Sequence, residues 1–127
     1  MNKPNILIVE DDPIHAFIAE THLKNHYNIT TVTNGHDALA AVEKQKFDVI
    51  LIDINLNEPS MDGLKTMRNI RYDRKNLYTK IIAVTAASDA REWFVKQGFD
   101  GHYLKPLSEK GILEEINSLP RNMNLIC

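Results

Sequence analysis

A chain of 127 residues is long enough for one ordinary hydrophobic core and short for two domains, and its 43% hydrophobic, 7% aromatic and 25% charged residues exclude a disordered or low-complexity scaffold. With 15 Lys plus Arg against 17 Asp plus Glu, the formal charge of −2 provides no global field to recruit nucleic acid or an anionic membrane. The single cysteine, Cys127, excludes an intramolecular disulfide, and the start MNKPNILIVEDD shows neither an apolar leader nor a cleavage site, so a reducing, cytoplasmic setting is expected.

Short β-branched apolar runs alternate with longer segments of helical spacing, the pattern of βα units around a parallel sheet. Asn5 to Val9 is the first strand, apolar enough to be covered on both faces. Asp12 caps the next helix, Pro13 occupies its first turn, and Ile14, Phe17, Ile18 and Leu23 take core-facing positions. A second strand covers Asn28 to Thr33. Asn34 and Gly35 open a second helix with Ala38, Leu39, Ala41 and Val42 inward, ending near Lys46. Phe47 to Ile52 is the third strand, followed by a loop from Asp53 to Asp62. A third helix carries Leu64, Met67 and Ile70 on one face, and Lys80 to Thr85 is the fourth strand. After a loop over 86–89, Ala90 to Gln97 is a short helix ended by Gly98, and His102 to Leu104 a fifth strand before the Lys105-Pro106 turn. Ser108 caps the last helix, whose core face is Ile112, Leu113 and Ile116; residues 120–127 form a tail. No repeat or linker divides the chain, so one domain over residues 1–127 is expected, with its core at about 5–119.

In an open parallel sheet, ligands bind beyond the carboxyl ends of the strands. Those ends carry Glu10, Asp11 and Asp12 after the first strand, Asp53 after the third, Thr85 after the fourth and Lys105 after the fifth. Carboxylates converging from two strand ends repel one another unless a cation joins them, and hard oxygen donors suit Mg²⁺. A carboxylate beside Mg²⁺ can attack phosphorus, because the metal screens the incoming charge. Asp53 is the natural nucleophile, Thr85 a hydroxyl donor to a phosphoryl oxygen and Lys105 a point charge opposite the metal, giving an aspartyl phosphate. Taken alone, each has a plain reading: a cap for Asp12, a turn for Asp62, a solvated turn lysine for Lys105. Their combination at successive strand ends departs from chance.

The segments ILIVEDDP, DVILIDINL, MDG, IIAVTA and YLKPL, spread over Asn5 to Leu119, resemble the receiver domain of two-component response regulators. The resemblance implies a flavodoxin-like α/β fold, a three-layer (βα)5 sandwich whose five parallel strands run in the order 2-1-3-4-5. It implies Asp53 as phosphoacceptor, Glu10 and Asp11 as the acidic pair, and Mg²⁺ held directly by Asp11, Asp53 and the Asn55 backbone carbonyl. Thr85 then matches the switch hydroxyl and Lys105 the family's lysine, with Pro106 following in a peptide bond that is usually cis. Asn55 and Ala87 fall where the family tunes phosphoryl lifetime, and Ala87 cannot orient a water by hydrogen bonding.

Two departures from the family pattern stand out. Pro59 lies six residues after Asp53 rather than four, and Asp62-Gly63 is displaced likewise, so the loop is two residues longer; Glu58 in it is either solvated or near the metal site. Where many receivers carry Tyr or Phe, three residues before the lysine, this chain has His102, expected to couple to Thr85 with a response set by its protonation. Tyr103 should point to the opposite face of its strand. The basic run Lys65, Arg68, Arg71, Arg74, Lys75 and Lys80 reads as a solvated helix face rather than a nucleic-acid surface, and His22 with His26 as surface residues rather than a metal pair. Trp93 and Phe94 on the short fourth helix read as core or as partner surface.

The resemblance therefore implies a phosphoacceptor rather than a turnover enzyme, taking its phosphoryl group from a bacterial sensor histidine kinase or phosphotransfer protein and switching the binding of an effector protein. It would act without direct contact to nucleic acid or membrane, as a monomer or a weak phosphorylation-dependent dimer. The Met1 start favours a stand-alone protein over a receiver excised from a hybrid kinase, and the signal would pass to a partner for want of an output domain. A pseudo-receiver that binds partners without phosphorylation is the alternative. A small Mg²⁺-dependent phosphatase of the haloacid dehalogenase type is more remote, because it needs a D-x-D after the first strand where this chain has Glu10-Asp11-Asp12.

Overall fold

Five strands and five helices alternate along the chain in a computed structural model that describes residues 3–86 and 91–118. They are β1 (Asn5–Val9), α1 (Pro13–Leu23), β2 (Asn28–Val32), α2 (Gly35–Lys44), β3 (Val49–Asp53), α3 (Gly63–Tyr72), β4 (Lys80–Thr85), α4 (Arg91–Gln97), β5 (Gly101–Leu104) and α5 (Glu109–Ser118). All strand pairings are parallel and the order is β2-β1-β3-β4-β5, as the resemblance implies. Among the described residues, no helix is long and apolar enough to cross a membrane. Ala87, Ala90 and the tail with Cys127 lie outside the described residues.

Strand alternation sorts the apolar side chains into two cores. Leu7, Val9, Ile50, Ile52, Ile81 and Ala83 pack with Ala38, Val42, Met67, Ile70 and Phe94, so α2, α3 and α4 cover one face of the sheet. Ile6, Ile8, Val49, Leu51, Ile82 and Val84 pack with Ala19, Leu23, Ile112 and Ile116, so α1 and α5 cover the other. The central strands are buried on both faces, which is why they read as continuous apolar runs.

Local chemistry sets the helix ends as expected. Asp12 Oδ1 accepts from the N–H of Ile14 at 2.8 Å and of His15 at 3.3 Å, Asn34 caps α2, and Ser108 Oγ accepts from the Gly111 N–H. Gly98, at φ +121°, closes α4 in a conformation open to glycine.

The phase of α1 differs from expectation. Ile14 and Phe17 are 70% and 67% exposed, and Ala16 and Ala19 face the sheet instead, alongside Leu23, which is buried as expected. Two stripes of this helix are apolar, and periodicity alone cannot choose between them; the small residues fit against the sheet. Four strand ends also shift slightly: β2 stops at Val32, β3 runs from Val49 to Asp53, and β5 starts at Gly101.

Candidate functional site

Register brings the acidic residues together. Val9 pairs with Ile52 between the two central strands, so Glu10, the next residue, stands level with Asp53. Alternation puts Glu10 on the side of Ile6 and Ile8, and Asp53 on the side of Val49 and Leu51, which is the α1/α5 face for both. Lys105 follows β5 on the same side, held by its own N–H, which donates to the Thr85 carbonyl at 2.8 Å. Its ammonium donates to Glu10 Oε1 at 2.9 Å and to Asp53 Oδ2 at 3.3 Å. The Lys105-Pro106 peptide bond is cis.

Glu10, Asp11 and Asp53 each present a carboxylate oxygen within 4.8 Å of the others, a grouping found among the described residues. Burial raises the pKa of Glu10, and the adjacent Asp53 carboxylate adds to the effect; Lys105 and the Asp12 N–H oppose it, and the balance is pushed up to about 7. Burial pulls the Lys105 ammonium down, but its hydrogen bond to Glu10 and the charge of Asp53 outweigh that and hold it above its usual range. Three carboxylates thus face a single nearby ammonium, and one of them is already driven towards its neutral form. A hard divalent cation with oxygen preference relieves that repulsion, so the donor set fits Mg²⁺, with Glu10, Asp11 and Asp53 as the residues that would hold it.

The other expected residues are placed as follows. Asn55 is exposed, and its N–H donates to Asp53 Oδ1 at 3.0 Å, which fixes the carboxylate from the loop side. Asp12 is spent as the α1 cap, and the N–H groups of Ile14 and His15 lower its pKa. Thr85 is buried, and alternation after Ala83 places its side chain on the α4 face, opposite Glu10, Asp53 and Lys105. His102 pairs with Ala83 on that same face and stacks on Phe94, with ring centroids 5.3 Å apart and planes 10° from parallel. Tyr103 packs on the α5 side, as expected.

The longer loop after Asp53 is anchored rather than free. The Asn57 N–H donates to Asp11 Oδ2 at 2.8 Å, Leu56 is buried, and Pro59–Met61 form one 3-10 turn before Asp62 caps α3 through the Lys65 N–H. Glu58 stands apart from the Glu10, Asp11 and Asp53 grouping; its side chain is 40% exposed, and its Oε1 lies 3.1 Å from His36 Nε2 on α2. Gly63 is required by close approach, because a Cβ there would stand 2.6 Å from the Asp53 carbonyl and 2.8 Å from Ile54 Cα.

Several residues lie outside what sequence reasoning reached. His15 Nδ1 lies 3.0 Å from Lys105 Nζ, a contact across 90 positions that no local pattern signals. Arg71 is no part of a solvated face: it pairs with Asp100 and donates to the carbonyls of Asn76, Leu77, Thr79 and Gly98. His26 pairs with Glu109 at 2.9 Å, Trp93 is half exposed and Phe94 is buried. Beneath the acidic cluster a cleft of about 330 Å³ opens on the α1/α5 side, walled by Ile8, Ile18, Leu51, Val84 and Leu107.

Residues 6–117 match the family model described as the response regulator receiver domain. The sensor histidine kinase GacS of Pseudomonas protegens is 29% identical over 119 residues, covering 89% of this chain and 13% of that protein. Protein PilH of Pseudomonas aeruginosa is 29% identical, covering 90% of this chain and 95% of that one. The solved receiver domain of the Pseudomonas aeruginosa sensor histidine kinase PA1611, with a magnesium ion coordinated in its active site cleft, is 31% identical with a TM-score of 0.78, covering 88% and 93% of the two chains. Against GacS and several other curated relatives the chain spans only 13 to 49% of their length.

Proposed function

Because the chain belongs to the response regulator receiver domain family of two-component signalling, matched from residue 6 to residue 117, we propose that it is a phosphoacceptor whose Asp53 takes a phosphoryl group from a phosphohistidine donor. The observation that carries this reading is the convergence of Glu10, Asp53 and Lys105, with Nζ within 3.3 Å of both carboxylates, on one face at the strand ends. In the step, an Asp53 oxygen forms a bond to phosphorus as the donor's P–N bond breaks, and its electron pair returns to the imidazole nitrogen, which takes a proton from solvent. Mg²⁺, when bound by Glu10, Asp11, Asp53 and the Asn55 carbonyl, supplies charge neutralisation at the phosphoryl oxygens.

The chain's own groups do the rest. The Asn55 N–H holds Asp53 Oδ1 and so fixes the carboxylate for in-line attack. Lys105 brings positive charge to the phosphoryl oxygens as negative charge develops there. On this reading the Thr85 hydroxyl, which rests on the α4 face at the end of β4, turns towards the new phosphoryl and, with His102 behind it, passes the change to α4, where an effector protein reads it. Asn55 and Ala87 set the lifetime of the acyl phosphate by controlling water access. The protein is on this reading consumed and regenerated as a signal carrier rather than an enzyme acting on a separate substrate.

The test is intact mass after incubation with acetyl phosphate, with and without Mg²⁺. The parent should gain one phosphoryl group only with Mg²⁺, and Asp53→Ala should gain none. A parent that binds Mg²⁺ and stays unmodified would overturn the proposal in favour of a module that works without phosphorylation.

A further inference from the structure

We infer that His15 is a positioning residue for Lys105, the anchor that aims its ammonium at the phosphoacceptor. This rests on the reading of Lys105 as the group that meets the phosphoryl oxygens. His15 sits in the first turn of α1, where its backbone N–H is fixed by the Asp12 cap at 3.3 Å. From there its ring reaches across the mouth of the site, with Nδ1 3.0 Å from Lys105 Nζ. A lysine ammonium has three N–H donors and accepts nothing, so Nδ1 is the acceptor in this contact and the ring proton resides on Nε2.

Three acceptors therefore surround Nζ: Glu10 Oε1 at 2.9 Å, His15 Nδ1 at 3.0 Å and Asp53 Oδ2 at 3.3 Å. They match the three donors one for one, and the longest contact goes to the residue that reacts. When Asp53 becomes an acyl phosphate, the N–H directed at it is the one released for a phosphoryl oxygen, while Glu10 and His15 keep their places. Two fixed contacts leave the third N–H a single direction. With Glu10 alone, an ammonium on a flexible four-carbon stem would pivot about one bond, because it lacks the planar fork that orients a guanidinium. Orientation of this kind bears on the rate of transfer rather than on the fold.

The variants His15→Leu and His15→Asn separate the possibilities. Leu keeps bulk on the exposed face of α1 without an acceptor; Asn places Oδ1 at the side-chain position of Nδ1. Phosphorylation by acetyl phosphate with Mg²⁺ should slow about tenfold in His15→Leu, the scale of a lost hydrogen bond to a charged group, and recover most of that in His15→Asn. Both variants should melt like the parent, and in a Lys105→Met background His15→Leu should cause no further loss. A readout independent of phosphorylation is the pair of imidazole ¹⁵N shifts of His15, recorded on the neutral ring with and without Mg²⁺. The parent should show the Nε2–H tautomer, and Lys105→Met a mixture of tautomers. A parent rate in His15→Leu, a loss that His15→Asn does not recover, or mixed tautomers in the parent would each overturn the inference. Should the parent accept no phosphoryl group at all, the receiver chemistry fails, and the ¹⁵N shifts still decide the contact: the Nε2–H tautomer upholds it and a mixture overturns it.

Discussion

Glu10 is the residue through which pH acts on this site. Its carboxyl has a folded-state pKa of about 7 against an ordinary 4.5, so between those values the folded chain binds a proton that the unfolded chain releases. The stabilisation this gives is complete below the unfolded value and is lost as pH rises through the folded one. Metal-free protein should therefore lose this contribution between about pH 4.5 and about pH 7, and Glu10→Gln should flatten that part of the profile in urea titrations. Because a bound cation displaces the same proton, Mg²⁺ affinity should climb over that window, as calorimetric titration in buffers of differing pH would show; pH-independent affinity would contradict it. At this scale the sequence was informative wherever polar residues coincide with a strand end: the positions of Glu10, Asp11, Asp53 and Lys105 together, and of Thr85 at the end of β4, were legible, though not that Thr85 faces the opposite layer. His15 and Arg71 were not, because each draws its meaning from partners remote in the chain, Lys105 for one and Asp100 for the other.

Elements position these residues, and the joints between them are where substitutions should be most informative. Gly63 opens α3 directly against the end of β3, so Gly63→Ala must displace either the helix or the Asp53 backbone. We expect it to lower Mg²⁺ affinity and phosphoryl uptake by about tenfold while the far-UV spectrum stays close to that of the parent, the signature of a site moved rather than a fold lost. Arg71 works at the opposite end of the same helix, tying it to the turn before β4 through the carbonyls of Asn76, Leu77 and Thr79 and to the start of β4 through Asp100, whose carboxylate also accepts from the Ile81 N–H at 2.8 Å. Arg71→Met should cost about 3 kcal/mol in urea unfolding, since it removes the ion-pair partner of a mostly buried carboxylate and a shared donor to four carbonyls; a change under about 0.5 kcal/mol would contradict the account. Strand and helix identities were legible from periodicity and caps. The phase of α1 was not, because Ile14 and Phe17 mimic a core stripe, and neither was the 3-10 turn that absorbs the longer loop, since the loop is anchored on Asp11 in the remote segment after β1.

The molecule as a whole divides its chemistry between the two faces of one sheet. Glu10, Asp53 and Lys105 lie on the α1/α5 side, Thr85 and His102 on the α4 side, and strands β4 and β5 join them, with the Lys105 N–H donating to the Thr85 carbonyl. An event at Asp53 thus has a short covalent and hydrogen-bonded route to the opposite layer. The βα architecture was legible because five alternating units leave few ways to bury apolar strands, and the strand order came with the family resemblance, whereas the partition of the site residues between faces needs the alternation phase of every strand at once. The central claim is that Asp53 itself carries the phosphoryl group. Borohydride reduction after acetyl phosphate treatment with Mg²⁺, followed by peptide mapping, tests it most directly, because an acyl phosphate is reduced to the alcohol where it stands. The account predicts homoserine at position 53 and at no other aspartate; homoserine at Asp11 or Asp12, or none in protein whose mass shows the phosphoryl adduct, would contradict it.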